Sequence, residues 1–126
     1  MVHRIGDKTP DVKDAAFIAW NAEVAGAVVL GKDTSIWFGA VVRADIQPVR
    51  IGRGTAVEDN VTVHVDHGTA CIVGEDVTIG HNAVIHACTI GDGCLVGMGA
   101  VIMSRAEIGA QSIVGAGALV TEGKSF

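Results

Sequence analysis

An aliphatic residue recurs at Val12, Ile18, Val24, Leu30, Ile36, Val42, Ile51, Val57, Val63, Val73, Ile79, Ile85, Ile90, Val96, Ile102, Ile108, Val114 and Val120. The step is six residues except between Val42 and Ile51, Val63 and Val73, and Ile85 and Ile90. A fixed hexapeptide period predicts a parallel β-helix, in which each repeat buries its apolar face only by stacking on its neighbours. Taken in threes, the positions give about six coils, each with three short flat faces, in a single domain spanning residues 1–126. Small residues stand four places after most aliphatics, among them Ala22, Ala40, Thr55, Ala83, Thr89, Cys94, Ala100 and Ala106. They are expected to fill the tight corners. Glycine directly follows many aliphatics, as at Gly31, Gly52, Gly74, Gly80, Gly91 and Gly97, where its backbone freedom is expected to serve the turn.

The three irregular steps all follow the third aliphatic of a coil, on coils two, three and four. They therefore share one corner of a triangular prism. Insertions in a repeat array map to loops on one face, often the binding face. The expected loops are Gln47-Pro48-Val49-Arg50 and Asp66-His67-Gly68-Thr69-Ala70.

Composition narrows the class. The 126 residues are 49% hydrophobic with 17 glycines, but only 4% aromatic and without tyrosine, so the core must be aliphatic and narrow. A net charge of −5 offers no basic footprint for nucleic acid or an anionic membrane surface. No apolar run approaches the ~20 residues of a membrane span. Met1 to Asp7 contains no apolar signal core, so a cytoplasmic location is expected. Cys71, Cys88 and Cys94 form no CxxC pair and read as reduced thiols, with Cys94 at a core position.

The stretches Arg43-Ala44-Asp45, Glu58-Asp59-Asn60-Val61-Thr62-Val63-His64 and Gly80-His81-Asn82-Ala83-Val84-Ile85-His86 resemble the γ-class carbonic anhydrases. The resemblance covers essentially the whole chain. It implies a left-handed β-helix, although ordinary crossover connections are right-handed. It also implies a homotrimer, a metal site between subunits, and hydration of CO2 to bicarbonate by a metal-bound hydroxide. Arg43, Asp45, Glu58 and Asp59 match family positions near the site. Glu58 stands where the family usually carries a glutamine, and no tyrosine or long acidic loop is present. The family's C-terminal helix has no counterpart in a sequence that runs to Phe126 within the sixth coil.

Register alone adds geometry. His64 follows Val63, and His86 follows Ile85, so both lie in one column on adjacent coils, about 4.8 Å apart. Arg43 occupies that column one coil earlier. His81 lies at the turn ending the second face, roughly 16 Å along an extended chain from His86. One metal, with zinc–nitrogen bonds of about 2.0–2.1 Å, cannot join both within a chain. A neighbouring subunit can supply its own His81, and a cyclic trimer closes that contact three times. Asp59 shares the column of His81, so it is expected to cross towards Arg43. His3 and His67 read as solvated side chains.

Three imidazoles with an open position describe a catalytic zinc site; Fe2+ or Co2+ would also suit. The competing functions are a hexapeptide-type acyltransferase or acyl-CoA thioesterase, and a trimeric assembly module in which metal only ties subunits together.

Overall fold

The computed structural model describes residues 1–126. Its strands are short, mostly two or three residues, and every strand-to-strand ladder is parallel. No helix is present. Each coil pairs with the next through like positions of the repeat, as in Ile85↔Ile102, Val96↔Val114 and Ile90↔Ile108. The fold is a left-handed parallel β-helix. The six aliphatic triplets form its complete coils. Val2–His3 adds a partial rung through Val2↔Val24, and Ser125 bridges Glu107 at the other end, which brings the solenoid to about seven turns.

Sixfold spacing places the aliphatics inside. Ile36, Ile79 and Val96 are wholly buried, and all the others are buried except Val12 and Ile18. Those two belong to the first coil, whose outer side is covered only in part by Val2–His3. Burying each such side chain stabilises by about 1.5–3 kcal/mol.

The second face is a six-stranded sheet. The first and third faces join into a ten-stranded sheet, because Glu23–Leu30 and Val41–Ile51 run unbroken round their shared corner. The expected loop at Gln47–Arg50 is thereby corrected. Val49 and Arg50 pair with Val28 and Val29, Val49 is buried, and the register shift opposite Gly26 and Val28 throws out Asp45 to Pro48 instead. The second loop is a tight turn closed by paired backbone bonds between Asp66 and Thr69.

Two corner assignments also change. Counted back from the following aliphatic, the small residue before Ile90 is Cys88, which is buried, whereas Thr89 is exposed. The five-residue step after Ile85 moved the count. Gly31, Gly52, Gly74, Gly80, Gly91 and Gly97 serve close stacking rather than backbone freedom. A Cβ on Gly52 would lie 2.6 Å from the Gly74 carbonyl carbon, and Gly52 is absent from the positive-φ residues. The left-handed residue comes two places later, as at Asn60 (φ 60°) and Asn82 (φ 61°), where asparagine tolerates the conformation.

Cys71, Cys88 and Cys94 are free and buried. The hydrogen bond with Cys71, reinforced by burial, pushes the Cys88 thiol above its ordinary value, so it stays protonated.

A candidate metal centre divided between two corners

The third face ends in extended backbone at the irregular corner, so the residue after each aliphatic points outward. His64 and His86 are direct partners in the parallel ladder between Thr62–His64 and Val84–His86. Their ring centroids are 5.3 Å apart, edge to face. Val42 pairs with Val63, which sets Arg43 in the same column.

Asp45, three places after Val42, reaches the next coil. Its carboxylate accepts from His64 Nε2 at 2.9 Å and from Arg43 Nη1 at 2.5 Å. The His64 hydrogen bond, with the Arg43 charge adding to it, holds Asp45 below its ordinary pKa. An ionised carboxylate only accepts, so His64 Nε2 carries a proton and Nδ1 keeps its lone pair.

His86 is held differently. Its Nδ1 lies 3.1 Å from Ser104 Oγ, and Ser104 donates to Asp66 Oδ2 at 2.9 Å. Asp66 also accepts the His67 backbone N–H at 2.8 Å, and Arg105 Nη1 lies 3.7 Å from it. The His67 amide first, then the Ser104 hydroxyl, lower the Asp66 pKa. An open groove of about 310 Å³ runs beside His86, lined in part by Val84, Val101 and Met103.

The remaining expected residues gather at the corner between the second and third faces. Potential ligand atoms of Glu58, Asp59 and His81 lie within 4.8 Å of one another. His81 Nδ1 is 3.1 Å from Asp59 Oδ2, and Asp59 Oδ1 accepts the Phe38 amide at 3.1 Å. This confirms that Asp59 and His81 share a column. The chain therefore holds two clusters, with Arg43, Asp45, His64 and His86 at one corner and Glu58, Asp59 and His81 at another. It does not bring the three imidazoles together. Within the chain Arg43 pairs with Asp45, and Asp59 pairs with His81.

The donor set fits a divalent metal. His64 and His86 each have one ring nitrogen fixed by the protein, while His64 Nδ1 and His86 Nε2 make no hydrogen bond within the chain. A hydrogen-bond partner on the far nitrogen, commonly a carboxylate, is what ligating histidines carry. The His81 side chain, 45% exposed, stands out from its corner, and Trp20, Phe38 and Met98 expose apolar surface in the same column.

Ser104 is the site residue that the repeat pattern did not single out. It stands two places after Ile102, in a column whose earlier members are Gly26, Ala44, Val65 and Ala87. A buried hydroxyl alone among small apolar residues was the available signal. His3 is exposed, as expected, and its Nε2 also meets Glu23 Oε2 at 2.5 Å. The His67 carbonyl accepts from Gln47 Nε2 at 2.9 Å, clasping the two loops together.

Comparison with known proteins places these clusters in context. Residues 87–122 match the family described as bacterial transferase hexapeptide (six repeats). The chain is 44% identical over 92 residues to a mitochondrial γ carbonic anhydrase 3 of Arabidopsis thaliana, covering 68% of this chain and 36% of that protein. It is 40% identical over 90 residues to a carbonic anhydrase of Geobacillus kaustophilus, covering 71% of this chain and 50% of that protein. The chain thus spans half or less of the length of these relatives. A hexapeptide transferase family protein of Anaplasma phagocytophilum superposes with a TM-score of 0.93 at 40% identity, covering 98% of this chain and 73% of that one. The chain belongs to the γ-carbonic anhydrase-like family of hexapeptide-repeat, left-handed β-helix proteins.

Proposed function

We propose that the protein is a metal-dependent carbonic anhydrase, reversibly hydrating CO2 to bicarbonate at the interfaces of a homotrimer. His64 and His86 of one subunit and His81 of the next hold the metal, which is Zn2+, with Fe2+ or Co2+ as alternatives. The observation that carries this reading is the His64/His86 pair, in register on adjacent coils and each with one ring nitrogen left free. The names of the relatives support the reaction class.

A bound divalent metal would supply Lewis acidity, lowering the pKa of water from 15.7 to about 7. The protein's own residues do the rest. Asp45 fixes His64 in one tautomer. Arg43, 50% exposed, places a permanent positive charge beside the two imidazoles, where an anionic product would leave. Glu58 arrives with His81 from the adjoining subunit and accepts a hydrogen bond from a reacting water. As a carboxylate it cannot donate one, unlike the glutamine usual at this position. With no long acidic loop to relay protons, we expect turnover below that of relatives that carry one.

The test compares wild type with His86→Ala, each supplied with Zn2+ and, anaerobically, with Fe2+. Loss of metal and of CO2 hydration together is the expected result. Equal hydration rates would transfer the reading to acyl transfer, the alternative suited to a fold shared with a hexapeptide transferase family protein of Anaplasma phagocytophilum. Turnover of a coenzyme A thioester would then be measured.

A further inference from the structure

The two aspartates at the irregular corner occupy equivalent places. Asp45 lies three residues after Val42, and Asp66 three residues after Val63. Each turns towards the imidazole of the following coil. Asp45 reaches His64 directly at 2.9 Å. Asp66 reaches His86 through Ser104, at 2.9 Å and then 3.1 Å. The repeat has thus produced the same carboxylate-to-imidazole device twice, one coil apart, with a hydroxyl interposed in the second copy.

The interposed hydroxyl has a directional consequence. Ser104 has one proton to give, and the Asp66 carboxylate can only accept. The Ser104 proton therefore points at Asp66, and the Ser104 oxygen faces His86 with lone pairs alone. His86 must place its proton on Nδ1, which leaves Nε2 as the electron-pair donor. Ser104 is 3% exposed. Asp66 is fixed by the His67 amide and faces Arg105, which is braced in turn by Glu122 at 2.7 Å. Three coils contribute: Asp66 from the third, His86 from the fourth, Ser104 from the fifth. The irregular steps explain how. The fourth coil is one residue short at this corner, and the loop of the third passes over it to the fifth.

We infer that Ser104 and Asp66 are positioning residues that lock His86 in the Nδ1–H tautomer and present Nε2 as its ligating atom. The inference rests on the reading of His86 as a metal ligand, and its test separates the two. Imidazole nitrogen NMR on metal-free, histidine-labelled protein reads the tautomer without any metal. Wild type is expected to show His86 as Nδ1–H. Ser104→Ala should release it to the Nε2–H form, and Ser104→Thr, which keeps the hydroxyl, should restore the wild-type pattern. Asp66→Asn, which frees the serine proton to turn towards the ring, should also lose the selection. Zn2+ affinity, measured by chelator competition, should fall about 10–100-fold in Ser104→Ala, the usual cost of losing such a partner.

A wild-type His86 already in the Nε2–H form, or a Ser104→Ala spectrum identical to wild type, would overturn the positioning role. A His86→Ala variant that binds Zn2+ as tightly as wild type would instead overturn the ligand reading, and the NMR result would still decide what Ser104 does.

Discussion

Arg43, Asp45 and His64 form a short hydrogen-bonded chain in which Asp45 is the shared acceptor. Its pKa is held below the ordinary value first by the His64 hydrogen bond. A depressed carboxylate stabilises the fold above its unfolded pKa of about 3.9, and that contribution disappears as pH falls through the lower folded value. Asp45→Asn should therefore unfold more easily than wild type at neutral pH, with the gap closing on acidification below that range. Parallel denaturant titrations from neutral to strongly acidic pH measure it. A gap constant over the whole range would show that the ionised state of Asp45 contributes nothing. At this scale the sequence showed Arg43, His64 and His86 clearly, because they stand where other blocks of the repeat place glycine, whereas Asp45 was legible only through the family resemblance and His81 through that resemblance and its register. Ser104 breaks its column just as plainly. Its meaning stayed hidden because its partner, Asp66, lies 38 residues away on a loop whose path no period describes.

The coil is the next unit, and its corners show why a repeat can be read correctly in register and wrongly in cause. The glycines after the aliphatics were visible, but the reason for most of them is the approach of one coil to the next. Gly52→Ala would drive a methyl group to 2.6 Å from the Gly74 carbonyl carbon, a contact that a stacked backbone can relieve only by separating coils. We expect a loss of about 1–3 kcal/mol, as for other overpacked sites. Gly115→Ala is the control, since nothing lies within 4 Å of its added Cβ. It should change stability by less than about 0.5 kcal/mol. Equal losses in the two variants, in the same denaturant series, would mean that glycine is required there for conformation after all. Ile85→Ala probes the interior of the same region and should cost about 2–5 kcal/mol. The loop boundaries were missed for a related reason. Val49 and Arg50 belong to the ladder because Val49 can be buried beside Val28, and burial decides the register where the hexapeptide count lapses.

For the whole molecule, the stack fixes where each cluster stands, and the site depends on whether copies meet. His64 and His86 lie at one corner, and His81 with Asp59 at another, so a three-imidazole site needs two chains. The exposed Trp20, Phe38 and Met98 in the His81 column give that corner the apolar surface an interface requires. A mixing experiment tests the division directly. His81→Ala subunits retain His64 and His86, and His86→Ala subunits retain His81. Each variant alone should bind little metal. Unfolded together in equal amounts and refolded, they should recover about a quarter of the wild-type Zn2+ content, because one interface in four then joins two intact halves in a cyclic assembly. CO2 hydration should return in proportion. If every site were built within one chain, no pairing of these two variants could restore one, and the mixture would stay as empty as its components.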